Sequence, residues 1–277
     1  MSDEVPRIGV AGWPVLHSRS PMIHGFWLEK YGIAGSYGLL PIPPDDARHF
    51  FANLPVSGAN VTIPYKETAF RCVDETDEQA RRLGAVNTIY IRDGKTIGTN
   101  TDGYGFLAHL KATAPEWRSA SGPVVLLGAG GATRAIIGAL LDDGVSEIRI
   151  ANRTLRRAEE LENAFGERVS AHAWDQRAEI LKDATLLVNT TSLGMKGNPP
   201  LDISLAQMSK GSVVYDIVYN PLETELLRQA HSLGLVSVDG LGMLLHQAVP
   251  GFELWFGHRP EVTEELRDLV VASLVEG

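Results

Sequence analysis

The run Val124-Val125-Leu126-Leu127-Gly128-Ala129-Gly130-Gly131-Ala132 constrains this chain more than any other stretch, because a fully apolar strand leads directly into a glycine turn and then a helix. A strand without polar alternation must be covered on both faces, which is the environment of a parallel sheet. Glycine at 128 permits the tight turn, glycine at 130 lets a pyrophosphate approach the backbone, and the amides opening the helix favour negative charge. The run reads as a dinucleotide-binding turn. It departs from the G-x-G-x-x-G spacing at Thr133, where the third glycine would stand, and a turn that only packs helix on strand is the competing reading.

What surrounds the turn agrees with it. Apolar strands at 147–151, 185–189 and 213–217 and helices at 132–141 and 155–165 predict a parallel sheet with helices on both faces. The second strand ends near 151, about 20 residues beyond the turn, where an NAD-preferring fold places an acid on the ribose hydroxyls. Asn152, Arg153 and Thr154 stand there instead. Arg153, with Arg157 one turn into the next helix, can clamp a 2′-phosphate through charge-assisted hydrogen bonds, so the cofactor reads as NADP. Ordinary solvated arginines are the plainer alternative.

The first half is also α/β. Strands are expected at 7–11, 37–42 and 59–63 and helices at 21–30 and 45–53, the first helix capped by Ser20 with Pro21 at its first position. Segments 85–92 and 96–100 flank Asp93-Gly94, the sequence of a tight hairpin turn. A helix at 104–113 and a polar stretch at 114–123 follow, and the chain beyond 239 reads as helical. A length of 277 residues fits about two domains. A net charge of −9 opposes nucleic acid and anionic lipid, and no apolar window is long enough to span a bilayer. Cys72 is the single cysteine, and the eight histidines lack metal-ligand spacing, so no disulfide and no metal is expected. We expect a cytoplasmic protein, monomer or homodimer, with no nucleic-acid or membrane partner.

Four polar blocks in the first half carry groups suited to a site. Asn60-Val61-Thr62-Ile63-Pro64-Tyr65-Lys66 ends a β-branched strand just before a lysine, although a lone lysine is usually solvated. Gly84-Ala85-Val86-Asn87-Thr88 and Thr99-Asn100-Thr101-Asp102-Gly103 lie at the two outer ends of the hairpin, which brings Asn87 near Asn100. Turn-forming residues that satisfy their own backbone would look the same. Ser18-Arg19-Ser20 places two hydroxyls at a helix start, where a carboxylate ligand is favoured.

With these blocks, Gly-Ala-Gly-Gly-Ala, Asn152-Arg153-Thr154 and Asp239-Gly240-Leu241-Gly242-Met243-Leu244-Leu245-His246-Gln247 in one order from 18 to 247, the chain resembles the shikimate dehydrogenase family. The resemblance implies an N-terminal α/β substrate domain, 1–103 completed by the helices of 240–277, facing an NADP-binding Rossmann domain, 104–239, across a cleft. It implies reversible, NADPH-dependent reduction of 3-dehydroshikimate to shikimate in aromatic amino-acid biosynthesis. Ser18 and Ser20 would take the substrate carboxylate. Thr62, Lys66, Asn87, Asp102, Tyr219 and Gln247 would complete the substrate shell. Gly128, Ala129, Gly130, Gly131, Ala132, Asn152, Arg153, Thr154 and Arg157, with Ile217, Gly240 and Met243 around the nicotinamide, would hold the cofactor. The block Asn189-Thr190-Thr191-Ser192 matches as well.

Hydride transfer to a ketone builds negative charge on its oxygen, so a donor placed there stabilises the alkoxide and delivers a proton. Lys66 is the candidate acid for reduction and base for oxidation. Asp102 would orient it, the two titrating as a unit. A paralogue acting on quinate, or a non-catalytic NADP-binding regulatory module, are the competing readings.

Overall fold

A computed structural model describes residues 5–275. The chain divides into two compact units, one formed by the residues up to Asp102 together with those from Leu245 onward, the other by Gly103–Leu244.

The first unit opens with β1 (Arg7–Gly12), α1 (Ser20–Tyr31), β2 (Ser36–Pro41), α2 (Ala47–Asn53), β3 (Gly58–Val61), α3 (Lys66–Cys72), β4 (Glu75–Thr76), α4 (Glu78–Leu83), β5 (Thr88–Arg92) and β6 (Lys95–Thr99). Its sheet runs β2-β1-β3-β5-β6-β4 and is mixed. β1 pairs in parallel with β2 and β3, whereas β5 lies antiparallel to both β3 and β6. The hairpin closes where expected. Asp93 and Gly94 have φ of 52° and 75°, and two positive values are what a turn matched to strand twist demands.

Ser20 does not cap α1. It is the first helical residue, Arg19 holds the cap position without a side-chain bond, and the Ser18 Oγ accepts from the Ser20 amide at 3.3 Å. The strand ending in the Asn60 block stops at Val61, because Thr62–Tyr65 turn back through a bond from the Tyr65 amide to the Thr62 carbonyl, 2.9 Å. Lys66 therefore begins a helix, α3, which the pattern alone did not reveal.

α5 (Asp102–Thr113) begins on the last residue of the first unit's opening segment and leads into the second unit, which continues through β7 (Val124–Leu127), α6 (Gly131–Asp142), β8 (Ile148–Asn152), α7 (Leu155–Phe165), β9 (Val169–Ala173), β10 (Leu186–Asn189), β11 (Val213–Asp216), α8 (Glu225–Ser232) and β12 (Val236–Val238). Its sheet, β12-β11-β10-β7-β8-β9, is parallel throughout. Alternate residues of β7 feed two cores. Val124 and Leu126 pack with Ile136, Leu140 and Phe106, while Val125 and Leu127 pack with Leu181, Leu226 and Ala230. That double coverage is why β7 is apolar at every position. α9 (Leu241–Phe256) and α10 (Glu264–Val275) close the chain, and the division between units falls inside α9. Among the described residues, no helix is long and apolar enough to cross a membrane.

Candidate functional site

In the second unit the chain order steps outward in opposite directions from β7, to β8 on one side and to β10 on the other. Ligands of open α/β sheets settle outside the carboxyl ends of strands at such a switch point. A cleft of about 170 Å³ lies there, lined by Gly128–Gly130 after β7, by Asn152, Arg153 and Arg157 after β8, by Trp174 after β9 and by residues 190–193 after β10.

The glycine turn is shaped for a close-approaching ligand. Gly128 has φ of +112°, and a β-carbon there would come within 2.7 Å of the Thr190 hydroxyl. A β-carbon on Gly130 or Gly131 would meet no atom, so open space stands over the backbone where a pyrophosphate would sit. Thr133, in place of the third glycine, is fully buried and ties the turn down. Its hydroxyl accepts from the Gly130 amide at 3.1 Å and bonds the Thr190 hydroxyl at 2.7 Å. Helix and strand thus meet through hydrogen bonds rather than through a missing side chain.

Arg153 and Arg157 are exposed, and neither guanidinium is held by a carboxylate among the described residues. Two free guanidiniums beside a glycine turn, with no acid at the end of β8, suit a phosphorylated ribose. The Asn152 side chain donates from Nδ2 to the Thr154 carbonyl at 2.8 Å and shapes the entry to α7. Gly131, Ala132 and Thr154 do not line the cleft. Ile217, Gly240 and Met243 lie elsewhere in the same unit: a β-carbon on Gly240 would stand 2.1 Å from the Ile217 carbonyl, and Ile217 and Met243 pack at the edge of the β7 core. Tyr219 follows in the loop after β11. Beneath that loop, Asp216 accepts from Asn189 Nδ2, Thr224 Oγ1 and the Val218 amide, and burial outweighs these donors to push its pKa up to about 6. Trp174 escaped the sequence reading because nothing local to it signals a ligand. Its place at the end of β9, beside β8, brings it to the cleft.

The first unit gathers the other set. Lys66 Nζ and Asp102 Oδ2 form an ion pair, with 29% of the lysine side chain and 12% of the aspartate exposed, enough for a ligand to reach both. Asn87 Nδ2 donates to Asp102 Oδ1 at 2.8 Å and to Thr101 Oγ1 at 3.1 Å. Thr101 in turn donates to the Gln247 carbonyl at 2.8 Å, which ties α9 to the cluster. The Asp102 amide donates to Asn100 Oδ1 at 3.1 Å, and Asn100 Nδ2 to the Ala85 carbonyl. Both ends of the hairpin converge here as its turn requires. Thr62 sits above Gly12, where any β-carbon would clash with its methyl at 2.5 Å. Ser18 and Ser20 are joined hydroxyl to hydroxyl at 3.2 Å.

Behind this cluster lie groups absent from the sequence reading. Asn60, expected only as part of a block, is buried on β3 opposite Thr88 of β5. Its Oδ1 accepts from the Tyr37 phenol at 2.5 Å. The Tyr37 ring stacks on His24, centroids 4.0 Å apart, within a wall that includes Trp27, Phe252 and Trp255. His24 is fully buried, and burial, only partly opposed by the Asn60 side chain, lowers its pKa to about 3.

A parallel sheet with a glycine turn and a paired-arginine cleft at its switch point, joined in one chain to an α/β unit bearing a lysine–aspartate pair, defines a dinucleotide-linked oxidoreductase architecture. The comparisons narrow the class. The pattern described as shikimate dehydrogenase substrate binding domain matches residues 10–89, that of shikimate/quinate 5-dehydrogenase matches 111–197, and that of the shikimate 5′-dehydrogenase C-terminal domain matches 240–267. The shikimate dehydrogenase (NADP(+)) of Mesorhizobium japonicum is 53% identical, with 99% of each chain covered, and that of Azorhizobium caulinodans is 51% identical over 97% of this chain and 96% of the other. A Thermus thermophilus shikimate 5-dehydrogenase solved in complex with NADP(H) and shikimate superposes with a TM-score of 0.85 at 35% identity, covering 97% of this chain and 99% of that one. A quinate dehydrogenase from Corynebacterium glutamicum in complex with NAD gives 0.87 at 32%, with the same coverage. The chain belongs to the shikimate dehydrogenase family.

Proposed function

We propose that this chain catalyses the reversible NADPH-dependent reduction of 3-dehydroshikimate to shikimate, with Lys66 and Asp102 as its acid–base pair. The observation that carries the reading is the Lys66–Asp102 ion pair, held on its second carboxylate oxygen by Asn87 and left partly open to a ligand.

Reduction places a hydride on the ketone carbon and a proton on its oxygen. When bound, NADPH supplies the hydride. The Lys66 ammonium donates the proton and offsets the charge growing on the oxygen; in the reverse direction its amine accepts the hydroxyl proton. Asp102 holds that ammonium in place and accepts from the neighbouring substrate hydroxyl. Ser18 and Ser20 offer hydroxyls to the carboxylate, and Thr62, Asn87, Tyr219 and Gln247 supply the remaining polar contacts. The cleft after β7 and β8 fits the cofactor: Gly128–Gly130 for the pyrophosphate, Arg153 and Arg157 for the 2′-phosphate. Gly131, Ala132, Asn152 and Thr154 shape the loops around it, and Ile217, Gly240 and Met243 are the nicotinamide-side candidates.

The quinate reading is favoured by the likeness to a solved quinate dehydrogenase at 32% identity and by the match of residues 111–197 to a pattern shared by shikimate and quinate dehydrogenases. The relatives at 51–53% identity are NADP(+) shikimate dehydrogenases. Measuring kcat/KM for shikimate and quinate with NADP(+) and NAD(+) decides it. The shikimate–NADP(+) pair is expected to lead, and a lead for quinate or for NAD(+) contradicts the proposal.

A further inference from the structure

Asn87 carries Asp102, and its primary amide has nearly the same shape in either of two flips, so hydrogen-bond polarity alone decides which end faces the carboxylate. Three donors lie within reach of its Oδ1: the Thr88 hydroxyl at 2.9 Å, the Thr101 amide at 2.9 Å and the Thr101 hydroxyl at 3.3 Å, whose shorter bond is the one to the Gln247 carbonyl at 2.8 Å. The Thr101 amide is main chain and fixed. The Thr88 hydroxyl can rotate, and what aims it is Asn60, whose Nδ2 donates to Thr88 Oγ1 at 3.1 Å and to the Asn87 carbonyl at 3.2 Å. With its lone pair so engaged, Thr88 turns its proton toward Asn87.

Asn60 is an amide too, and its flip is set from outside. The Tyr37 phenol donates to its Oδ1, and burial raises the phenol's pKa well above the ordinary value, so it remains a donor. Stacking on His24 holds the ring in register. One direction of donation therefore runs from Tyr37 to Asn60, Thr88, Asn87 and Asp102, ending opposite Lys66. Thr88 is fully buried, and Asn60 and Asn87 nearly so, so water does not substitute freely for a missing link.

We propose that Thr88 and Tyr37 are positioning residues for the acid–base pair, acting through the two asparagine amides to fix the plane of Asn87 and hence the Asp102 carboxylate. The inference rests on the role assigned to Lys66 and Asp102. Neither hydroxyl touches the pair directly, and the effect is one of geometry: a loosened Asn87 lets the carboxylate drift, and small displacements near reacting groups are costly in rate.

The test compares Thr88→Val, Thr88→Ser, Tyr37→Phe and the double variant Tyr37→Phe/Thr88→Val in steady-state shikimate oxidation, with Lys66→Ala alongside and thermal melts for each. Valine keeps the shape of Thr88, and each asparagine keeps a second partner, so the fold is expected to survive. Thr88→Val should lower kcat about 5-fold or more with KM for NADP(+) within about two-fold, while Thr88→Ser, which keeps the hydroxyl, stays near wild type. Because the two hydroxyls act along one chain, the double variant should be no slower than Thr88→Val. Wild-type kcat in Thr88→Val, an equal loss in Thr88→Ser, or multiplicative losses in the double variant would overturn the proposal. Normal turnover by Lys66→Ala would instead sink the reading of the pair on which it rests.

Discussion

Lys66 is the first residue of α3 and Asp102 the first of α5, and their side chains form an ion pair although 36 residues separate them in the chain. The two placements are not equivalent. A carboxylate at a helix N-terminus is favoured by the helix dipole, while an ammonium there is disfavoured by about 0.3–1 kcal/mol. The lysine thus breaks a local rule that the aspartate obeys, and the pair offsets the conflict. Such local violations mark places where a site, not the fold, has chosen the residue.

Asp102→Asn keeps the shape of the side chain but removes the charge that orients Lys66. We expect kcat to fall by about 10²-fold or more, as for other disrupted acid–base pairs, with a changed pH dependence of kcat. Stopped-flow or steady-state rates across pH check this. An unchanged pH–rate profile counts against the two groups working together.

Arg153→Ala should separate the two nicotinamide cofactors. Loss of a charge-assisted bond to a 2′-phosphate raises KM for NADP(H) about 10-fold or more and leaves NAD(H) nearly unaffected. Arg157→Ala should act in the same direction and less. Direct titration with both cofactors gives the answer, and equal weakening of the two would show that the arginines do not read the phosphate.

His24 makes stability depend on pH in a defined direction. Its folded-state pKa, lowered by burial to about 3, lies below the ordinary histidine value of 6.5, so the unfolded chain takes up a proton that the folded one refuses. The corresponding stabilisation is complete above pH 6.5 and is lost as pH falls toward 3, by about 1.4 kcal/mol per pH unit inside that window. Between pH 6.5 and 5, wild type should therefore lose about 2 kcal/mol more than His24→Phe in denaturant unfolding. Parallel pH slopes for the two proteins would refute this.

Much of the second unit was legible because its rules are local. Apolar β7, the glycines after it and the absence of an acid beyond β8 each carry their meaning within a few residues. The hairpin at Asp93-Gly94 was readable for the same reason, since only certain residues tolerate two positive φ values. The short α3, α4 and α8 and the edge strands β4, β9 and β12 were not, because a few residues carry too little periodicity and their packing decides them. Ser20 looked like a cap, yet its amide is itself bonded by Ser18, and the helix starts one residue earlier in the chain, with Arg19 at the cap position. Within the candidate site, Lys66, Asn87 and Asp102 stood in recognisable blocks. Tyr37 and Trp174 did not stand out, and Thr88 was visible only as a member of the Asn87 block, since what distinguishes them is the partner each meets across strands or at strand ends, a tertiary fact that no window of sequence contains.

The turnover of Lys66→Ala with shikimate and NADP(+) tests the account most directly. With the melting transition retained, kcat is expected to fall by about 10²–10⁴-fold, the span that a positioned acid–base group contributes. A folded Lys66→Ala protein that turns over shikimate at close to the wild-type rate would contradict the assignment of proton transfer to this amine.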